Sequence, residues 1–139
     1  MSMFEIFNVA GSAVSAQSQR LNVVASNLAN VDTVAGPDGK AYKARHVVFQ
    51  TLMMGQGSQP EASAGVRVST VVEDDKAGRI VHDPKHPSAD AEGNVTYSNV
   101  SPVDEMVNMI SASRSYQNNI EVMNTARSLL QKTLQMGQG

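Results

Sequence analysis

The sequence predicts a mainly α protein with a small β region. Long N- and C-terminal helices are expected to pair as an antiparallel coiled coil, and a central segment is expected to hold short β-strands and loops. The first observation is that apolar residues recur at steps of three, four and seven near both ends of the 139-residue chain. The second is the uneven distribution of charged side chains along the chain. The first 31 residues hold two of them, the middle 69 hold sixteen and the last 39 hold six. We therefore divide the chain into an N-terminal helix at 1–33, a central region at 34–100 and a C-terminal helix at 101–139, with the two helices forming one coiled-coil domain.

The first helix is predicted by an apolar seam that consists of Phe7, Ala10, Val14, Leu21, Val24, Leu28 and Val31. Its only charged side chains are Glu5 and Arg20, and the remaining surface is largely Ala, Ser, Asn and Gln. A helix that is exposed to water on three sides is usually charged. We therefore expect other protein to surround this helix.

The central region is predicted to contain short strands. Residues with β propensity or two-residue alternation occupy Tyr42–Leu52, Gly65–Glu73 and Asn94–Tyr97. The turn residues Asp75–Gly78 precede Arg79–His82, which predicts a hairpin between this segment and the second strand. Residues 53–65, rich in Gly, Ser, Gln and Pro, are expected to form a mobile loop or linker. Because so small a sheet is marginal alone, we expect helices or neighbouring subunits to cover it.

The second helix has a well-defined predicted start. Ser101 is placed to cap it, Pro102 occupies the first helical position and Asp104 the third. The seam that follows contains Met106, Met109, Tyr116, Ile120, Met123, Leu130 and Leu134. Gly137 is a plausible stop, so the helix would run for about 35 residues, or about 50 Å. One helix of a compact bundle fits the periodicity equally well.

Asparagine is frequent beside both seams. Asn22, Asn27 and Asn30 flank the first, and Asn118, Asn119 and Asn124 crowd the second helix. Asparagine is a poor residue for an exposed helix interior, because its amide competes with the backbone for hydrogen bonds. Two interpretations stay open: a helix of weak propensity, or amides that bond across helix interfaces and fix register.

Composition excludes several function classes. The absence of cysteine excludes disulfides and thiolate metal sites, and a net charge of −2 argues against nucleic acid as the main partner. The sequence contains no run of 18 apolar residues, so we expect no direct membrane insertion. Its first residues also do not form the pattern of a cleavable signal peptide.

Catalytic and metal-binding candidates are few. His82 and His86, with Asp90 nearby, form the only candidate metal cluster, and Pro84 and Pro87 stiffen the backbone so that the two imidazoles need not converge. The acids at 73–75 lead into a turn, where carboxylates are ordinarily solvated. We expect no enzyme activity, no cofactor and no bound metal.

Residues 12–33, SAVSAQSQRLNVVASNLANVDT, resemble the N-terminal signature of the flagellar rod, hook and hook-associated axial proteins. The core of that signature is A-x-x-x-x-L, followed by N-[LI]-A-N-x-x-T. The second half resembles the proximal-rod members of this family in its segments 83–95, 98–100, 105–110, 112–117 and 132–134. Residues 34–40 lie where such proteins vary, and nothing can be transferred onto them.

The resemblance implies a structural subunit of the proximal rod of the flagellar basal body. Such subunits polymerise through their terminal helices into the drive shaft that transmits torque. Its implied partners are copies of itself, other rod subunits, the base to which the rod attaches and the flagellar type III export apparatus. Its implied location is the periplasmic rod, reached without a cleaved signal peptide. The alternatives are a sister axial protein and, more remotely, a small metal-binding protein that uses His82 and His86.

The residues expected at helix-packing and subunit interfaces combine the two seams with the asparagines beside the first. They are Phe7, Val14, Leu21, Asn22, Val24, Asn27, Leu28, Asn30, Met106, Met109, Tyr116, Ile120, Met123, Leu130 and Leu134.

Overall fold

A computed structural model describes residues 2–54 and 63–139. Its elements follow in the order α1 (Met3–Ala29), β1 (Arg45–Met54), β2 (Ser63–Glu73), β3 (Ile80–His82), β4 (Asn94–Thr96) and α2 (Pro102–Gly137). The two terminal helices account for most of the regular structure. The prediction of a mainly α protein with a small β region is confirmed.

Both helices begin at a serine cap. Ser101 Oγ accepts a hydrogen bond from the Asp104 N–H at 3.4 Å, and Pro102 opens α2, as the sequence predicts. At α1 the cap is reciprocal, because Ser2 Oγ accepts from the Glu5 N–H while the Glu5 carboxylate accepts from the Ser2 N–H. This second cap was not predicted, although the Ser-x-x-Glu spacing of the sequence indicates it.

The helices pack against each other and run antiparallel. Ser98 Oγ donates to the Val31 carbonyl oxygen at 2.7 Å, just before α2 begins and just after α1 ends. Further along the pair, Arg20 Nη2 donates to Asn108 Oδ1 at 3.1 Å. As residue numbers fall along α1, the numbers of the residues level with them on α2 rise by nearly the same amount.

Alanine supplies most of the buried apolar positions of the two helices. Ala10 and Ala16 are buried in α1, and Ala112 and Ala126 are buried in α2. The register set by Arg20 and Asn108 places Ala16 level with Ala112. Small side chains at such positions let helix axes approach closely. The apolar seam predicted from the larger side chains did not identify Ala16, Ala112 or Ala126.

Strands β1 and β2 form a two-stranded antiparallel ribbon, paired from Arg45 with Glu73 to Met54 with Ser63. The ribbon lies against α1, where Ser12 Oγ accepts from the Val66 N–H at 3.1 Å. A Cβ atom at Gly65 would lie 2.6 Å from Ser12 Oγ, so the lack of a side chain there permits this close approach.

The predicted hairpin across Asp75–Gly78 is wrong. Strand β2 pairs with β1, while β3 pairs with β4, the third predicted strand, from Ile80 with Thr96 to His82 with Asn94. The physical reason is a long-range contact: Asn99 Nδ2 donates to the carbonyl oxygens of Asp74 and Lys76 at 2.8 and 2.9 Å. These bonds hold the segment as a crossover between two sheets, against its local turn propensity.

Most of the predicted linker at 53–65 lies outside the described residues, namely its positions 55–62. Its two ends differ from the prediction. Met53 and Met54 complete β1, and Ser63 to Gly65 begin β2, where Ser63 Oγ donates to the Met54 carbonyl oxygen at 2.7 Å.

Candidate assembly interface

The predicted seam is only partly covered in the single chain. In α1, Val24 is buried and the remaining large seam residues are half-buried, namely Phe7, Val14, Leu21 and Leu28. In α2 the half-buried seam residues are Met109, Tyr116, Ile120, Met123 and Leu130. Two seam residues, Met106 and Leu134, are 56% and 60% exposed. The seam therefore leaves apolar surface that one chain does not cover.

The last three turns of α2 extend beyond α1. With Arg20 level with Asn108, the N-cap residue of α1, Ser2, is level with Ala126, and α2 continues to Gly137. We call residues 127–137 the α2 overhang. It spans about 16 Å at the rise of an α-helix. All of its residues except the half-buried Leu130 are exposed.

A second exposed apolar surface lies at the opposite end of α2. It consists of Val103, Met106, Val107 and Ile110, which we call the α2 outer patch, and each side chain is more than half exposed. The spacing of three and four residues places them on one helix face. Only Met106 was predicted to lie at an interface, because the other three residues fall outside the heptad seam.

Asn27 is fully buried, but its amide does not bond to the other helix. Its Nδ2 donates to the Arg45 carbonyl oxygen at 2.7 Å, and its Oδ1 accepts from the Arg45 N–H and the Tyr42 hydroxyl, both at 3.0 Å. Asn30 Nδ2 donates to the Ser26 carbonyl oxygen of its own helix at 2.8 Å, and Asn22 is exposed. Within one chain the amides of Asn27 and Asn30 therefore bond to the start of β1 and within α1, not across the helix pair.

A polar contact does link the helices, at residues that the sequence analysis did not select. The bond from Arg20 to Asn108 lies at a cleft of about 240 Å³ that Arg45 and Glu105 also line. Glu105 is buried, and its Oε2 has no hydrogen-bond partner among residues 2–54 and 63–139. Arg20 is distinguished in the sequence only as one of the two charged side chains of the first helix, and no sequence signal pairs it with Asn108.

The histidine loop uses its polar groups locally. His82 Nδ1 lies 3.2 Å from Asn94 Oδ1, and His86 Nδ1 accepts from the Ser88 N–H at 3.1 Å. Asp90 Oδ1 accepts from two backbone N–H groups of the same loop. Across the part of the chain that the structure describes, no group of three or more His, Cys, Asp or Glu side chains is arranged to hold a metal ion.

The acidic run at 73–75 is solvated at its end. Asp75 is exposed and forms an ion pair with Lys43 at 2.8 Å. The hydrogen bond and the positive charge of Lys43 lower the pKa of Asp75, and the same contact raises the pKa of Lys43. This pair joins the segment before β1 to the segment after β2.

Neither described helix combines the length and hydropathy needed to cross a bilayer.

Two protein families match the ends of the chain. The family described as "Flagella basal body rod protein" matches residues 7–37, and the family described as "Flagellar basal body rod FlgEFG protein C-terminal" matches residues 91–136. The first match covers α1 from Phe7 onward and the turn after it. The second covers β4 and almost all of α2.

Curated proteins match over the whole length. The chain is 55% identical to the flagellar basal-body rod protein FlgC of Yersinia enterocolitica, over 99% of this chain and 100% of the relative. It is 52% identical to FlgC of Salmonella typhimurium over the same shares of both chains. It is 38% identical to FlgC of Bacillus subtilis over 99% of each chain.

Proposed function

The chain belongs to the FlgC family of flagellar basal-body rod proteins and is a structural subunit of the rod, and we propose that it polymerises through its two terminal helices. The full-length identity to FlgC proteins is the observation that carries this function. The sister-subunit alternative is not favoured, because the similarity to FlgC proteins extends through the central region as well as both helices. The relatives are named as rod proteins, which supports a structural role over an enzymatic one.

The surface of the helix pair supports polymerisation. Seam residues such as Leu21 and Leu28 are half-buried, and the α2 overhang and α2 outer patch expose large apolar side chains. Monomeric proteins rarely keep such apolar surface uncovered. The residues of α1 that face away from α2 are mostly neutral, so packing against a neighbour would not strip water from unpaired charges. We infer that the two helices form one coiled-coil domain and that residues 34–100 form a central β and loop region.

The partners in this proposal are copies of the chain, other rod subunits and the base to which the rod attaches. The proximal rod in the periplasm is the proposed location, and the flagellar type III export apparatus is the proposed route. Torque would pass along the rod through the packed helices. The support for these finer statements is family membership together with the antiparallel helix pair.

Complementation tests the function and the seam together. The chain is expressed in bacteria that lack their own FlgC, and swimming and the protein content of purified basal bodies are measured. We expect the unaltered chain to restore both, and Leu28→Asp to restore neither, because it places a charge in the seam. Leu28→Met, which keeps an apolar side chain of similar volume, is the matched control and should act as the unaltered chain does.

Two results would overturn parts of the proposal. Absence of the unaltered chain from basal bodies contradicts the rod function. Normal swimming with Leu28→Asp removes the seam from the assembly mechanism and leaves the rod function in place. Immunoblots of whole cells establish that each variant accumulates.

A further inference from the structure

We propose that the cleft beside Glu105, between α1, the start of β1 and the start of α2, receives the side-chain amide of Asn22 from a second copy of this chain. In this contact, Asn22 Nδ2 of the second copy donates to Glu105 Oε2, and its Oδ1 accepts from an arginine of the cleft. The proposal rests on the rod function above and adds which residues of two neighbouring subunits meet.

The cleft holds a buried acceptor that the single chain leaves unused. Glu105 is only 2% exposed, and its Oε2 has no hydrogen-bond partner in the part of the chain that the structure describes. Native structures nearly always supply a donor to such an atom, because a buried polar atom without one is costly. The cleft volume of about 240 Å³ is several times the roughly 30 Å³ that a water molecule takes up in the liquid. A small side chain from outside therefore has room to reach Glu105.

Two arginines line the cleft without pairing with Glu105. Arg20 Nη2 donates to Asn108 Oδ1 at 3.1 Å, and Arg45 Nε donates to the Tyr42 hydroxyl at 3.4 Å. Neither guanidinium forms an ion pair with a carboxylate among residues 2–54 and 63–139. Each therefore keeps N–H donors for an incoming acceptor.

The charges of the cleft select a neutral group that both donates and accepts. Besides the two arginines, the lining contains His46, which lies 3.9 Å from the Asp74 carboxylate. The nearest other acids are Glu73, opposite the first residue of β1, and Asp104, which is exposed in the first turn of α2. An incoming cation would meet the positive lining, and an incoming carboxylate would meet Glu105. A side-chain amide avoids both conflicts, because it offers N–H donors to the acid and an oxygen to an arginine.

Asn22 is the amide best placed for such a contact. Of the three asparagines predicted at the subunit interface, Asn27 and Asn30 bond within the chain, whereas Asn22 is exposed and its amide bonds to no other described residue. The exposed residues of α1 from position 8 onward are all uncharged, namely Asn8, Ser15, Ser18, Gln19, Asn22, Ala25 and Ala29. This face can therefore approach the cleft without burying a charge.

Other exposed amides fit the cleft less well. In α2, Asn118 and Asn124 each lie one turn from an exposed charge, Arg114 and Glu121 respectively. Gln19 shares the uncharged face of α1, but burial of a glutamine side chain costs more rotamer entropy. A contact between this face of one copy and the cleft of the next joins two different surfaces. Such a contact repeats in one direction and builds a filament rather than a closed dimer.

The experiment is cysteine cross-linking in assembled rods, which is specific because the chain contains no cysteine of its own. Asn22→Cys and Phe49→Cys, the latter at an exposed residue of the cleft lining, are made in two full chains that carry different epitope tags. Both are expressed together in bacteria without their own FlgC, and purified basal bodies are treated with a short bismaleimide. We expect a cross-linked dimer that carries both tags. Lys85→Cys in place of Asn22→Cys is the control and should give no such dimer.

Three outcomes are distinguished. Basal bodies that contain both tagged chains but no dimer with both tags overturn the proposal and leave the rod function intact. A product that joins position 22 only to a different rod protein also overturns it, because the occupant is then not a second copy. Failure of the unaltered chain to enter basal bodies contradicts the rod function instead.

A reciprocal exchange of the two groups gives an independent readout. Asn22→Asp places a carboxylate against Glu105, and we expect it to lower entry into basal bodies about tenfold. Glu105→Gln in the same chain provides an amide for that carboxylate and should restore entry to within about twofold. Asn118→Asp, the same change at an exposed asparagine of α2, should alter entry by less than about twofold.

The exchange separates this contact from a general loss of structure. Because Asn22 is exposed in the single chain, purified Asn22→Asp should match the unaltered chain in circular dichroism and thermal unfolding. Normal entry of Asn22→Asp, or failure of Glu105→Gln to restore entry in a chain that stays folded, overturns the proposal. If the double variant unfolds, the cross-linking result decides.

Discussion

The side-chain amide of Asn27 pairs with both backbone groups of Arg45, donating to its carbonyl oxygen at 2.7 Å and accepting from its N–H at 3.0 Å. Asn27 therefore satisfies both backbone hydrogen-bonding groups of the first residue of β1, as a neighbouring strand would. The Tyr42 hydroxyl donates to the same Oδ1 at 3.0 Å. This fully buried amide connects the last turn of α1 to the base of the ribbon.

Removing that amide should loosen the ribbon. We expect Asn27→Ala to lower the free energy of unfolding by about 1–3 kcal/mol, because buried donors and acceptors of Arg45 and Tyr42 lose their partner. Asn22→Ala, at an exposed amide of the same helix, should change it by less than about 0.5 kcal/mol. Denaturant unfolding of both variants measures the difference. Equal stabilities would show that the Asn27 bonds contribute nothing net.

Two glycine substitutions should change stability in opposite directions. A Cβ at Gly78 would lie 2.1 Å from the Tyr97 carbonyl oxygen, so Gly78→Ala must displace the crossover that precedes β3. We expect it to destabilise the chain by about 1–3 kcal/mol. A Cβ at Gly11 meets nothing within 4 Å, and Gly11→Ala should stabilise α1 by about 0.5–1 kcal/mol. Thermal unfolding midpoints would show the two signs, and a stabilising Gly78→Ala would contradict the crossover packing.

Local signals predicted the helices well. The start of α2 depends on Ser101 and Pro102, which act on their immediate neighbours, and the helix begins and ends where the sequence predicts. The third strand was also found, because Val95 and its neighbours have β propensity and the strand is short. These features depend on residues within a few positions of one another, so a single sequence contains the information for them.

The errors arose where distant residues decide the structure. The predicted hairpin failed because Asn99, more than twenty residues away, bonds to the carbonyl oxygens of Asp74 and Lys76. The buried Ala16, Ala112 and Ala126 were missed because a periodic search gives weight to large side chains, whereas the closest approach of two helices requires small ones. Asn27 was predicted at an interface, and in the single chain it is buried against Arg45, a partner that could not be inferred without the fold.

The ion pair between Lys43 and Asp75 should be visible in a titration. Because Lys43 lowers the pKa of Asp75, Lys43→Met should raise that pKa toward its usual value. The contribution of Asp75 to stability is present above the usual carboxyl pKa and is lost as the pH falls through the folded value. The contribution of Lys43, whose pKa is raised, is present below the usual lysine pKa and is lost as the pH rises through the folded value.

Carboxyl resonances followed by NMR between pH 2 and about pH 7 measure this effect. Lys85→Met, which removes a lysine from the histidine loop, is the control and should leave the titration of Asp75 unchanged. An unshifted Asp75 in Lys43→Met would show that the pair does not persist in solution.

The close approach of the two helices gives the last prediction. Ala112 is fully buried and level with Ala16, so a larger side chain there has no space. We expect Ala112→Leu to lower the free energy of unfolding by about 1–3 kcal/mol through overpacking. Gln117→Leu adds the same side chain to an exposed position of α2 and should change stability by less than about 0.5 kcal/mol. Because the overpacked helices must separate, Ala112→Leu should also weaken the bond that Arg20 donates to Asn108, which the nitrogen chemical shifts of the Arg20 guanidinium would report. Unchanged stability in Ala112→Leu would mean that the helix pair is looser than its buried alanines indicate.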